Sequence, residues 1–131
     1  MIMKYYHSKK LPGTSFAEAE EKVTAALKEK GFGILTEIDV QATMKKKLDA
    51  DMPAYKILGA CNPQFAYQAL QHENKIGAML PCNVIVQENE DGGVEVSAVD
   101  PVASMQAVEN QDLGKIAGEV RDTLRAAIDS L

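Results

Sequence analysis

The chain has 131 residues, 46% of them hydrophobic and 25% charged, with a net charge of −5. That length suits one domain over residues 1–131 that buries its own core, and the balance excludes a disordered chain. The acidic charge argues against nucleic acid as partner, since phosphate binding needs clustered Lys and Arg, and the one basic run, Lys45–Lys47, reads as solvated surface.

No stretch nears the ~20 apolar residues of a membrane span, and Met1–His7 lacks the pattern of a signal peptide. A cytoplasmic location is expected, with no membrane partner. Cys61 and Cys82 are then expected as free thiols rather than a disulfide.

In chain order, the first strand is expected over Ile2–Ser8, followed by a turn at Leu11-Pro12-Gly13. Ser15 with Glu18 forms a capping box ahead of a helix whose apolar positions are Phe16, Ala19, Val23, Ala26 and Leu27; Gly31 stops it. Phe32–Val40 alternates as a strand, with Ile34, Thr36, Ile38 and Val40 on one face and Leu35, Glu37 and Asp39 on the other. A short helix covers Gln41–Leu48. Ala54–Ala60 is a strand, and Gln64–Glu73 a short helix. Cys82–Glu88 and Val94–Val99 are strands joined by the tight turn Asn89-Glu90-Asp91-Gly92-Gly93, which requires antiparallel pairing. The last helix carries one apolar stripe, Leu113, Ile116, Ala117, Val120, Leu124, Ala127, Ile128 and Leu131, with Asp112 as its expected cap.

The order is β-α-β(4)-α with two short inserted helices. It predicts an α+β fold in which a curved, mainly antiparallel sheet packs against two long helices, not a doubly wound parallel sheet. If the four consecutive strands pair antiparallel, one end of the sheet collects Gly31–Gly33, Cys61, Asn62, Cys82, Asn83, Asp100 and Pro101. This end is the candidate site. Cys61 and Cys82 are its candidate catalytic groups, and Cys61, Asn62, Cys82, Asn83 and Asp100 its candidate ligand-binding groups.

A thiol site needs a cation, a metal or a helix N-terminus to populate the thiolate, and a helix starting after Pro63 would bring such an end near Cys61. Against that, free cysteine is often a small buried hydrophobe, and Asn at strand ends is ordinary turn chemistry. The cysteine spacing matches no zinc pattern, so no metal ligands are assigned. Glu37 and Asp39 share a strand face, but solvent exposure is the simpler account of both. Met44, Met52, Met79 and Met105 either line an adaptable pocket or fill gaps. His7 and His72 are isolated, and no cofactor is named by any motif.

Taken together, Gly31–Val40, Thr43, Lys45–Leu48, Gly59-Ala60-Cys61-Asn62-Pro63, Leu80-Pro81-Cys82-Asn83-Val84 and Asp100-Pro101 resemble the domain of unknown function 302 family over nearly the whole chain. The resemblance implies a β-α-β(4)-α fold like the TATA-binding-protein repeat, and a homodimer. It implies no activity. Three functions follow as expectations: a small-molecule-binding domain with a pocket between sheet and helices near Cys61 and Cys82, a cysteine-dependent redox or thiol enzyme, or a dimeric interaction protein without catalysis.

Overall fold

The computed structural model describes residues 4–131. Its strands are β1 (Tyr6–Leu11), β2 (Gly33–Asp39), β3 (Tyr55–Cys61), β4 (Cys82–Glu88) and β5 (Val94–Val99). Its helices are α1 (Phe16–Glu29), α2 (Val40–Leu48), α3 (Pro63–His72), α4 (Pro101–Ser104) and α5 (Gln111–Asp129), with a 3₁₀ turn at Ile76–Met79. The sheet runs β1-β5-β4-β3-β2, and all four pairings are antiparallel. The α+β class and the antiparallel sheet expected from the sequence are both present. The expected first strand begins later; Ile2 and Met3 lie outside the described residues. No helix among the described residues is long and apolar enough to cross a membrane.

One sheet face is covered. Leu58 and Ala60 of β3, Val84 and Val86 of β4, and Val94, Val96 and Ala98 of β5 are buried in one cluster with Ala19, Val23 and Leu27 of α1 and Val120, Leu124, Ala127 and Ile128 of α5. The period-two pattern of the strands thus meets the helical stripes read above. A second, smaller cluster joins Ala69 of α3, Ile76 and Leu113 of α5, with Leu80, Met105 and Val108 packed on it.

Local chemistry sets the element ends. Ser15 Oγ accepts from the Glu18 amide and donates to Glu18 Oε1, so the carboxylate takes the hydroxyl proton instead of reaching the Ser15 amide. At the other end of α1, Gly31 adopts φ 87°, its N–H bonds Lys28 O, and the Phe32 N–H bonds Leu27 O. This is a Schellman stop, in which Phe32 is turned into the core beside Leu27. Helix α5 is capped by Asn110, whose Oδ1 accepts from the Asp112 amide; Asp112, expected as the cap, sits in the first turn.

Strand β2 departs from simple alternation. Ile34 pairs with Ala60, but Thr36 pairs with Gly59, leaving Leu35 as an extra residue. This bulge inverts the expected faces from Thr36 onward: Glu37 pairs with Leu58 on the helix-covered side, and Thr36 and Ile38 turn to the uncovered side. Glu37 and Asp39 still share a face, yet both have structural work. Glu37 binds Lys56 at 2.8 Å, and Asp39 caps α2 through the Ala42 amide.

Candidate functional site

The expected convergence of strand ends is present. Gly33 pairs with Cys61, and Ala60 pairs with Cys82. Cys82 is buried on the helix side and Cys61 is half-buried at the end of β3. Both thiols are free.

Next to them lies a pocket of about 360 Å³. The sheet end contributes Phe32, Ala60, Cys61 and Cys82; the β2 bulge contributes Leu35 and Thr36. Helix α3 supplies Phe65, Ala66, Ala69 and Leu70, and α5 supplies Leu113, Ile116, Ala117 and Val120. Leu80, Pro81, Pro101 and Met105 close it.

The cause of the pocket is visible in the packing. It separates the main core, to which Phe32, Ala60, Cys82 and Val120 belong, from the smaller cluster of Ala69, Leu113, Leu80 and Met105. Helix α5 spans both clusters. Where they would join, the inward positions carry short side chains: Ala60, Cys82, Ala66, Ala69 and Ala117. Small residues facing one another from four elements, β3, β4, α3 and α5, leave space that a close-packed interior would fill.

The five sequence-predicted ligand-binding residues part company here. Cys61, Asn62 and Cys82 line the pocket; Asn83 and Asp100 do not. Asn83 follows Cys82 on a strand, so it turns to the uncovered sheet face, where it borders a shallow hollow with Tyr6, Tyr55 and Gln87. Asp100 is buried and committed: Oδ1 accepts from the Val102 and Ala103 amides, and Oδ2 accepts from Arg125 Nη2 at 3.1 Å. Asn62 lines the pocket, but its amide is used at both ends. Oδ1 accepts from the Phe65 N–H as the α3 cap, and Nδ2 donates to Lys30 O.

Burial pushes the Cys82 thiol up to about 11, with a further contribution from neighbouring Cys61. At neutral pH Cys82 is therefore protonated, a poor nucleophile and a small apolar wall of the pocket. Among the described residues no three of His, Cys, Asp or Glu are grouped to hold a metal ion.

Sequence reasoning passed over Leu35 and Thr36, because the bulge that aims them is not written in the alternation. It also passed over Ala66, Ala69 and Ala117, whose signal was available: alanines at inward helix positions where Leu would fill the core. Met105 does line the pocket, one of the two roles considered for the methionines.

A model for the domain of unknown function DUF302 matches residues 7–131. The chain belongs to this family. A crystal structure of an uncharacterized conserved DUF302 protein from Bacillus stearothermophilus superposes with a TM-score of 0.89 at 26% sequence identity, covering 97% of this chain and 98% of that one. An uncharacterized protein of Aquifex aeolicus (strain VF5) is 25% identical over 97 residues, 74% of this chain and 61% of the relative. The chain thus matches less than two thirds of that relative's length. The resemblance to DUF302 read from the sequence is borne out, and with it the DUF302 fold. Neither relative carries an assigned activity.

Proposed function

We propose that this DUF302 domain binds a small, largely apolar molecule in the pocket between the sheet end, α3 and α5. The observation that carries the proposal is the gap of about 360 Å³ between the two hydrophobic clusters. Its volume lies within the roughly 300–1,000 Å³ of small-molecule sites. A dry cavity of about 150 Å³ already accepts benzene, so this one suits a body of about two fused rings or a short alkyl chain. Burying each methylene there contributes about 0.8 kcal/mol.

Naphthalene is a suitable probe. At about 100 times its Kd it should raise unfolding free energy by about 2.7 kcal/mol. Ala66→Phe places a ring in the pocket from a half-buried position and should abolish that stabilisation while leaving the free domain folded. Absence of stabilisation in the unsubstituted chain, or its persistence in Ala66→Phe, would contradict the proposal.

A dimer is favoured by a different observation. On the uncovered sheet face, Ile38, Ile57 and Ile85 lie side by side across β2, β3 and β4, with Ile38 48% exposed. We propose that a second copy packs on this row about a two-fold axis, since a self-complementary apolar patch suits an isologous contact. Sedimentation should show a dimer that Ile57→Lys dissociates; a Kd weaker than about 100 μM (about −5.5 kcal/mol) would argue against it.

A further inference from the structure

We infer that the pocket's ligand is uncharged and carries one small hydrogen-bonding group, read at the mouth by Thr36 Oγ1 and Cys61 Sγ. The inference rests on the pocket proposed above and names its ligand class.

No lining residue bears a charge; the polar ones are Thr36, Cys61, Asn62 and Cys82. Two of these have structural roles. The Asn62 amide serves α3 and Lys30 O, and Cys82 is buried in the wall. The N-terminus of α3 offers little to an anion in the pocket, because Pro63 has no N–H, the Phe65 N–H is bonded to Asn62, and Gln64 is not among the lining residues. A carboxylate or phosphate entering this pocket would lose its water without gaining a cation, which is costly. An ammonium would find no carboxylate in the lining.

What is left free is at the mouth. Thr36 is exposed, and no hydrogen bond within the described residues engages its hydroxyl. Its position is built: the β2 bulge turns it onto Gly59, where a Cβ would lie 2.1 Å from Thr36 Oγ1, so it meets the pocket at the sheet end, from the rim of the face opposite Ala60 and Cys82. Cys61 lies two residues beyond Gly59 on the same sheet face, roughly 7 Å along the strand, and is half-buried. A hydroxyl that both donates and accepts, beside a weak S–H donor, suits an alcohol, phenol or carbonyl on an apolar body.

Three probes share one two-ring body: naphthalene, 2-naphthol and 2-naphthoate. Calorimetric titration near neutral pH should show 2-naphthol binding at least about tenfold more tightly than 2-naphthoate. Thr36→Val keeps the shape and removes the hydroxyl. It should weaken 2-naphthol by about threefold to tenfold and leave naphthalene within about twofold. Naphthalene and 2-naphthol binding with no preference over 2-naphthoate, or equal effects of Thr36→Val on both neutral probes, would overturn the ligand class while sparing the pocket. Failure of all three probes to bind would remove the pocket and this inference together. A readout without any variant is the alkylation of Cys61 by iodoacetamide. Saturating 2-naphthol should slow it by at least about tenfold, and the same concentration of 2-naphthoate should not; equal protection by both would overturn the inference.

Discussion

The hydroxyl of Thr36 occupies space that a side chain on Gly59 would need: a Cβ there would lie 2.1 Å from Thr36 Oγ1 and 2.8 Å from Pro81 Cγ. Gly59 is buried within β3, where glycine is otherwise a poor strand residue. Its absence of a side chain lets the β2 bulge and the residue before β4 close over the same point of the sheet.

Gly59→Ala should therefore destabilise the domain by about 1–3 kcal/mol, the usual range for overpacking. Urea denaturation measures it. In the same variant Thr36 is displaced, so selectivity among the naphthalene probes should fall as well.

Asp100 ties the end of β5 to α4 and α5, capping the first and pairing with Arg125 of the second. Its side chain is 9% exposed. Asp100→Ala removes the cap and leaves the half-exposed Arg125 unpaired, which should cost about 2–3 kcal/mol. Asp100→Asn keeps the cap oxygen and should cost about half as much. A similar loss in both variants would show the ion pair, not the cap, to dominate.

Cys82 gives the alkaline limb of the stability curve a defined sign. Its folded pKa, about 11, lies above the 9.0 of an unperturbed thiol. Below pH 9 both states keep the proton and the contribution is fully present. Between 9 and 11 only the unfolded thiol ionises, so stability falls as pH rises, by about 1–3 kcal/mol in all. Cys82→Ala should flatten that segment of the curve relative to the unsubstituted chain. Alkylation at pH 8 should label Cys61 well before Cys82.

Lys56 bridges Glu20 of α1 at 2.7 Å and Glu37 of β2 at 2.8 Å, and these carboxylates, Glu20 first, raise its pKa above the ordinary lysine value. The stabilisation is fully present below pH 10.5 and is lost progressively as pH rises from there through the raised folded value. Lys56→Met should cost about 1 kcal/mol, the modest value of a pair that keeps contact with water. Adding Glu20→Leu should recover most of the loss, because the remaining half-buried carboxylate is then gone.

The strands, the two long helices and the end of the sheet that gathers the cysteines were legible in the sequence because period two, period 3.6 and tight-turn chemistry are local signals. Cys61, Asn62 and Cys82 reached the pocket on that reasoning alone. Asn83 and Asp100 were grouped with them by proximity to a strand end; which face a side chain takes, and whether another residue claims it, depends on partners distant in sequence. Arg125 lies 25 residues from Asp100. The bulge at Leu35 was illegible for the same reason: the alternation Ile34-Leu35-Thr36-Glu37 reads as regular, and only pairing with Gly59 and Ala60 reveals the extra residue. The pocket itself arises from small residues on four elements, and no single segment announces it.

Diffraction from crystals pressurised with xenon tests the central claim most directly, since xenon enters dry apolar cavities without any polar contact. Anomalous density is expected between α3 and α5, in the space lined by Phe65, Ala69, Met105 and Ile116. Side chains closing that space, with no xenon in it, would contradict the account.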